Sequence, residues 1–284
     1  MAAAQVRALH CNGFSVHLQF NPQRLTSSGA KVDEQSIRER PCFLCVAHLP
    51  AEQKGILYDE EFLVLCNPAP IFLQHYTISN IQHVPQAITE HVATLLSLAR
   101  NLSPAFTVFY NGPRCGASAP DHMHFQASPA GAIPIGKEVE VGSRRVLIKT
   151  VHGISLFQLT NLGRQILVLE GSDRQAIEAL LLKCIAAMKI VASTPDEPMM
   201  NIICSYLGQS WRVIIFPRRK HRPVAYFREG EERVLISPAA VDIGGLIVTP
   251  MARDFLTVDA QLVESIYQEV SIDESATKQI ISML

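Results

Sequence analysis

The segment 111–126, NGPRCGASAPDHMHFQ, carries the strongest local pattern in the chain: a loop of small residues followed by alternating polar and apolar residues. The alternation predicts a β-strand on which His122, His124 and Gln126 share one face. Backbone amides of a small-residue loop can approach an anion closely. The segment is therefore typical of a site that holds and attacks a phosphoryl group. A polar strand edge in front of an apolar core would give the same pattern.

The elements around this segment predict a mixed α+β protein. The order strand, helix, strand, loop, strand occurs twice, so we infer two related halves, residues 1–150 and 151–284, of which only the first has a histidine pair. In the first half the predicted elements are strand 76–81, helix 87–100, strand 105–110 and strand 122–127. In the second half they are strand 166–169, helix 173–191, strand 200–206 and strand 211–217.

Composition limits the classes of partner. Of the 284 residues, 48% are apolar and 18% are charged, which is typical of a globular protein with a packed core. The formal net charge is -1, so no overall field attracts nucleic acid or an anionic membrane, and any phosphate must be held by a local cluster. The N-terminal residues have no apolar signal region, and the apolar helix is interrupted by charges. We therefore expect a cytoplasmic protein that binds neither membrane nor nucleic acid.

Two cysteines form a metal half-site. Cys42 and Cys45 are separated by two residues, a spacing that lets both thiolates reach one tetrahedral ion at about 2.3 Å. A redox pair or plain core thiols remain as alternatives, but Pro41 and the absence of a βαβ pattern disfavour a redox pair. The histidines that could complete a Cys2His2 set are His48, His75, His83 and His122.

Two further segments carry positive charge. The segment 217–223 includes Arg218 and Lys220 directly after an apolar strand, and its charge suits a diphosphate or polyphosphate. A solvated turn between strands is the alternative. Near the start of the chain, Arg24, Ser28 and Lys31 lie in a second, weaker stretch of small and basic residues.

Together these motifs resemble the histidine-triad superfamily. The resemblance covers residues 21–254 and is carried by Cys42 and Cys45, by His75 and His83 eight residues apart, by the Gly-Ala-Ser loop and by His-Met-His-Phe-Gln. It is closest to the branch in which glutamine replaces the third histidine. That branch contains galactose-1-phosphate uridylyltransferases, diadenosine tetraphosphate phosphorylases and GDP-hexose phosphorylases. Features shared with the last group are Asn201, Trp211, the pair at 217–218 and the segment 237–245.

The resemblance implies a fold and a structural zinc ion. The fold would be α+β, with two histidine-triad-like halves whose antiparallel sheets are flanked by helices. Residues 1–150 would form the catalytic half with the zinc site, and residues 151–284 a degenerate half. Zinc would be bound by Cys42, Cys45 and His122, with His83 as fourth ligand and His75 as the alternative to it.

The resemblance also implies roles for the remaining residues. His124 would be the nucleophile, and Gln126 would donate a hydrogen bond to a nonbridging phosphate oxygen. One residue more than in the family, Asp121, separates Ser118 from His122. The residues expected to contact substrate are Arg24, Ser28, Lys31, Asn111, Gly112, Gly116, Ser118, Arg218 and Lys220.

The activity that the resemblance implies is nucleotidyl transfer through a covalent nucleotidyl-histidine. The substrate would be an NDP-sugar or a dinucleoside polyphosphate, with phosphate or a sugar 1-phosphate as the second substrate. Hydrolysis by water is one alternative, and a regulatory protein that binds a nucleotide without turnover is another. A homodimer is left open.

Overall fold

The computed structural model describes residues 5–29 and 32–284. Its strands are β1 (Gln5–His10), β2 (Ser15–Phe20), β3 (Gly55–Tyr58), β4 (Phe62–Cys66), β5 (Tyr76–Asn80), β6 (Phe106–Asn111), β7 (His124–Pro129), β8 (Arg145–Val151), β9 (Ile154–Leu159), β10 (Ile166–Gly171), β11 (Met200–Leu207), β12 (Ser210–Pro217) and β13 (Leu246–Thr249). Its α-helices are α1 (Leu25–Ser28), α2 (Glu34–Arg38), α3 (Val92–Asn101), α4 (Ile135–Glu138), α5 (Arg174–Val191), α6 (Val224–Phe227), α7 (Ala240–Ile243), α8 (Ala252–Thr257), α9 (Ala260–Val270) and α10 (Glu274–Met283).

A ten-stranded antiparallel sheet forms the centre of the molecule, with the order β3-β4-β5-β7-β6-β11-β12-β10-β9-β8. From either edge inward the strands follow the same order in sequence, and β6 and β11 pair at the centre, where Asn111 lies opposite Asn201. α3 connects β5 to β6, and α5 connects β10 to β11. The predicted α+β fold with antiparallel sheets and flanking helices is thus confirmed. The division at residue 150, which lies within β8, stays a prediction.

The two long helices cover one face of this sheet. Residues 177, 180, 181, 184, 185 and 188 of α5 are buried, and their i, i+3, i+4 spacing explains why this segment is helical and which side faces the sheet. The side chain of Asp173 accepts a hydrogen bond from the N–H of Ala176 and caps the helix. Phe125 and Ala127 of β7 point into the same apolar core. The alternate residues of β7 therefore face the opposite side of the sheet.

The opposite face is covered by chain from both ends of the sequence. β1, β2 and β13 form a small second sheet in which β13 runs parallel to β2. α7 and α9 contribute to a second apolar core on this side. This layer closes over β6 and β7 and creates the cavity described below.

The strand that carries the histidines begins later than predicted. β7 starts at His124, whereas His122 lies in a turn in which its N–H bonds to the carbonyl of Ala119. Met123 accepts a backbone hydrogen bond from Asn80, the last residue of β5, and donates one to Val84 in the loop that follows β5, so the regular pairing of β7 with β5 starts one residue further on, at His124. The expected strand face therefore includes His124 and Gln126 but not His122. Among the described residues, no helix is both long and apolar enough to cross a membrane.

Candidate functional site

A cavity of about 770 Å³ lies over β6 and β7 on the face opposite α3. Its floor comes from the ends of these two strands, and its walls come from the loop after β6, from the first helical turns of the chain and from the start of α7. Such a volume is in the range of small-molecule and cofactor sites. Seven of the residues predicted from the sequence line it: Arg24, Ser28, Asn111, Gly116, Ser118, His124 and Gln126.

His124 is held in one orientation. Its side chain is buried, and its Nδ1–H donates to the carbonyl oxygen of His122 at 2.8 Å. The lone pair of the neutral ring is then on Nε2, which has no hydrogen-bond partner among residues 5–29 and 32–284. Burial lowers the pKa of His124 to about 4, so the ring is neutral near pH 7. A neutral imidazole with a free Nε2 at a cavity wall can act as a nucleophile.

Gln86 fixes the backbone at His124, and the sequence analysis did not find it. Its Oε1 accepts the N–H of His124 at 2.7 Å, and its Nε2 donates to the carbonyls of His124 and Asn111 at 3.0 and 2.9 Å. The carboxamide thus takes the place of direct hydrogen bonds between β6 and β7 next to the candidate nucleophile. No local pattern could have revealed this contact, because 38 residues separate Gln86 from His124.

Gln126 contacts a buried histidine. His75 Nε2 lies 2.8 Å from Gln126 Oε1, and His75 Nδ1 accepts the backbone N–H of Ile71 at 3.1 Å. Burial lowers the pKa of His75 to about 4. His75 is therefore neutral, and it contacts Gln126 on the floor of the cavity instead of belonging to the metal cluster.

The loop after β6 carries backbone N–H groups that make no hydrogen bond within the described chain and belong to residues at the cavity. Within the described part of the chain, the N–H groups of Gly116, Ala117 and Ser118 have no acceptor, and all three residues line the cavity. Gly116 has φ +94°, and a Cβ there would lie 2.5 Å from the Cβ of Ala239. Only glycine fits this backbone conformation and this close approach to the segment before α7. The arrangement suits an anion such as phosphate.

Arg40 connects this loop to the segment that carries Cys42 and Cys45, and it is the hydrogen-bond partner of Asp121, the extra residue between Ser118 and His122. Its guanidinium donates to Asp121 Oδ1 at 2.9 Å and to the carbonyl of Ser118 at 3.3 Å. The same guanidinium lies 5.0 Å from the centre of the Phe43 ring. Asp121 thus supplies the carboxylate that holds Arg40 at the cavity, where Ser118 is also placed. Arg40 was not predicted, since an isolated arginine before Pro41 carries no motif.

Four side chains form a candidate metal centre. Cys42 Sγ lies 3.3 Å from His122 Nδ1, Cys45 Sγ lies 3.2 Å from His83 Nδ1 and 3.6 Å from His122 Nδ1, and all four ligand atoms lie within 4.8 Å of one another. Tetrahedral zinc with bonds of about 2.0–2.3 Å separates its ligand atoms by roughly 3.3–3.8 Å. His122 Nε2–H donates to the carbonyl of Asn80 at 2.7 Å, which leaves Nδ1 for a metal. The cluster fits zinc, with His83 rather than His75 as the fourth member.

The structure does not bring Arg218 and Lys220 to the cavity. Arg218 is 3% exposed, and its guanidinium donates to Asn201 Oδ1 at 2.6 Å and to the carbonyls of Val270, Pro238, Lys220 and His221 at 3.0–3.2 Å. Lys220 pairs at the surface with Glu269. Their phosphate contacts stay a prediction that the geometry does not favour.

Asn201 shows what Arg218 does instead. The Nδ2 group of Asn201 donates to Asn111 Oδ1 at 2.9 Å and to the carbonyl of Cys115 at 2.7 Å, so Arg218 is connected through Asn201 to the start of the loop after β6. Gly112 does not line the cavity, but a Cβ there would lie 2.9 Å from the carbonyl oxygen of Met200. Gly112 therefore allows the loop to leave the sheet beside β11. Lys31 lies outside the described residues.

Three arginines line the cavity. Arg24, the one predicted from the sequence, donates to the carbonyl of Ala69 at 3.0 Å. Arg40 is the second, and Arg222, from the basic segment, is the third; its guanidinium lies 4.2 Å from the centre of the Tyr226 ring. The positive charge that the sequence predicts is therefore present at the cavity, but two of the three residues that supply it, Arg40 and Arg222, are not among the predicted contact residues.

Comparison with known proteins defines the class of fold and then the family. Crystal structures of yeast Ap4A phosphorylase Apa2 share the fold: the protein alone is 18% identical, covers 95% of this chain and 87% of its own, and has a TM-score of 0.62. Its complex with Ap4A is 16% identical, covers 96% and 90%, and has a TM-score of 0.60. At this identity the structures show the likeness of fold, and together with the family match given next they confirm the resemblance that the sequence motifs indicated.

The family follows from the sequence models. Residues 138–284, just over half of the chain, match the family described as GDPGP1-like, C-terminal domain, and the chain belongs to this family. Residues 1–129 match a domain of unknown function, DUF4922. Comparison with curated protein sequences gave no match.

Proposed function

We propose that the protein is a nucleotidyltransferase of the phosphorylase type that acts on an NDP-hexose or a dinucleoside polyphosphate. The observation that carries the proposal is the neutral His124, whose Nδ1–H is held by the carbonyl of His122 while Nε2 is left for the cavity. The named activity of the yeast protein with the same fold, an Ap4A phosphorylase solved with AMP and with Ap4A, supports the same kind of reaction.

The first step forms a covalent intermediate. His124 Nε2 attacks the α-phosphorus of the nucleotide, so that a P–N bond forms and the P–O bond to the β-phosphate breaks. The leaving group departs as a sugar 1-phosphate or, from a dinucleoside polyphosphate, as a nucleoside polyphosphate. The Nδ1 proton stays on the ring and strengthens its bond to the His122 carbonyl as positive charge develops.

The second step resolves the intermediate. An oxygen of inorganic phosphate attacks the same phosphorus, the P–N bond breaks, and the electron pair returns to Nε2 of His124. The product is a nucleoside diphosphate. Attack by water would give a nucleoside monophosphate instead, so the product distinguishes phosphorolysis from hydrolysis.

The surrounding donors are suited to the charge that develops in both steps. The N–H groups of Gly116 to Ser118 and the amide of Gln126 can donate to nonbridging oxygens of the α-phosphate. The guanidinium groups of Arg24 and Arg40 can offset charge on the transferred and leaving phosphates. These donors are fixed by the fold before substrate binds, which is what electrostatic stabilisation of a transition state requires.

A zinc ion bound by Cys42, Cys45, His83 and His122 would act structurally, by fixing the loop from which β7 begins. His122 then has two tasks: its ring binds the metal, and its carbonyl holds the ring of His124. Stability of the cysteine loop is thus coupled to the orientation of the nucleophile.

A product assay tests the proposal. Zinc-loaded protein is incubated with GDP-, ADP- and UDP-hexoses and with dinucleoside polyphosphates, each with and without phosphate, and nucleotides are separated by chromatography. We expect a nucleoside diphosphate that forms only with phosphate and does not form with His124→Ala. Tight nucleotide binding without any product would refute the proposed enzymatic activity and favour a regulatory protein. A nucleoside monophosphate product would favour hydrolysis.

A further inference from the structure

The contact between His75 and Gln126 has a definite polarity. A backbone N–H can only donate, so the bond from Ile71 requires that Nδ1 of His75 carries no proton. In the neutral ring the proton is then on Nε2, and Nε2–H donates to Gln126 Oε1 at 2.8 Å. The chain of bonds from Ile71 through His75 to Gln126 therefore runs in one direction.

This polarity determines which end of the Gln126 amide faces the cavity. The two ends of a carboxamide are nearly equal in shape, so packing alone does not choose between an oxygen and an NH₂ group. Once Oε1 is bound to His75, the Nε2 group is left for the cavity, and it has no acceptor in the described part of the chain. The opposite orientation would place the NH₂ group against the N–H of His75 and the oxygen against a phosphate.

His75 is itself held firmly. It is 3% exposed, and its ring lies between the rings of Phe72 and Phe109, with centroid separations of 5.8 and 6.0 Å. Burial keeps it neutral near pH 7, which preserves the single proton on which the polarity depends. The residue cannot rotate to exchange its nitrogen atoms without losing the bond from Ile71.

We propose that His75 is a positioning residue that orients the amide of Gln126, so that its N–H groups donate to a phosphate oxygen in the cavity. The role of the orientation in turnover rests on the proposed function. The orientation itself does not, because it follows from hydrogen bonds that are formed without substrate.

Two substitutions separate the two bonds of His75. An asparagine places a polar atom near the position of Nδ1 but cannot reach Gln126, whereas a glutamine places its NH₂ group near the position of Nε2. His75→Asn should therefore keep an acceptor for Ile71 and lose the contact with Gln126, and His75→Gln should do the reverse. A structural role of His75 alone would make the two variants similar.

The kinetic experiment measures formation of the nucleotidyl adduct in single turnovers. We expect His75→Asn to lower the rate constant at saturating substrate by about 3- to 10-fold, the value of one hydrogen bond, with a smaller effect on the half-saturating substrate concentration, and His75→Gln to recover most of the rate. In a Gln126→Ala background, His75→Asn should change the rate by less than about 2-fold, since the group that it orients is missing. Additive effects, or a normal rate in His75→Asn with unchanged zinc content, would overturn the proposal.

A second measurement does not depend on turnover. Long-range ¹H–¹⁵N spectra of zinc-loaded protein, assigned by loss of signals in His75→Phe, report which ring nitrogen of His75 carries the proton. We expect Nε2–H and an unprotonated Nδ1 between pH 6 and 8. A proton on Nδ1 would overturn the proposal even if the enzyme is active. Absence of an adduct together with the expected tautomer would refute the proposed function and leave the orientation of Gln126 established.

Discussion

Arg218 and Lys220 lie two residues apart in one basic segment, yet the structure predicts opposite consequences of changing them. Arg218→Met removes five donor contacts, at 2.6–3.2 Å, from a side chain that is 3% exposed, and leaves the acceptors of three of them buried. At about 1 kcal/mol each, with some relaxation, the loss is roughly 3 kcal/mol. The pair of Lys220 with Glu269 is partly exposed, so Lys220→Ala should cost less than about 1 kcal/mol.

Thermal melting of the zinc-loaded proteins checks this difference. One kcal/mol shifts Tm by about 2–4 °C in a chain of this size, so Arg218→Met should melt about 6 °C or more below wild type, and Lys220→Ala within about 4 °C of it. We also expect Arg218→Met to lower kcat, because Asn201 no longer fixes the loop at Cys115. The reasoning would be refuted by an Arg218→Met protein of normal Tm whose KM for phosphate is raised tenfold, since that result describes a direct phosphate contact.

Three further predictions concern the loop, the metal and a buried carboxyl group. Gly116→Ala should lower activity by at least about 10-fold, because its Cβ would contact Ala239 at a positive φ, whereas Gly136→Ala, with open space around it, should not; equal activities would contradict this. Removal of zinc by a chelator, or a Cys42→Ser, Cys45→Ser double variant, should lower both Tm and activity, with the loss of zinc followed by elemental analysis; a metal-free, fully active protein would exclude the site. Burial raises the pKa of Glu197 to about 7, so between about pH 4.5 and 7 the folded state binds more protons than the unfolded state. As the pH is raised through this range, the Tm of wild type should therefore fall more steeply than the Tm of Glu197→Gln; parallel curves of Tm against pH would contradict this.

Local patterns predicted the elements well where burial follows chain periodicity. α5 begins and ends within one residue of the predicted helix 173–191, because a capping aspartate and an apolar stripe define it. The same holds for β11 and β12, whose apolar residues alternate toward two cores. β7 begins at His124 and not at residue 122, because the backbone of Met123 is hydrogen-bonded to Asn80, at the end of β5, and to Val84 in the following loop.

The candidate site was predictable where residue chemistry is distinctive, and less so where a common residue is placed by the fold. Cys42 and Cys45 have a spacing typical of metal ligands, and the structure brings them together with His83 and His122. Gln86 looks like any polar residue in a loop, and its contact with His124 depends on the packing of separate strands. Arg218 was assigned to phosphate because charge is visible in a sequence, whereas its burial is not.

The most direct test is the mass of the intact protein after brief incubation with substrate in the absence of phosphate. We expect wild type to gain the mass of one nucleoside monophosphate, in an acid-labile linkage that phosphate discharges, and His124→Ala to gain none while keeping its zinc. Gln126→Ala should form the adduct roughly 10²-fold more slowly. An unmodified mass with every substrate that is turned over, together with an active His124→Ala protein, would contradict the covalent mechanism.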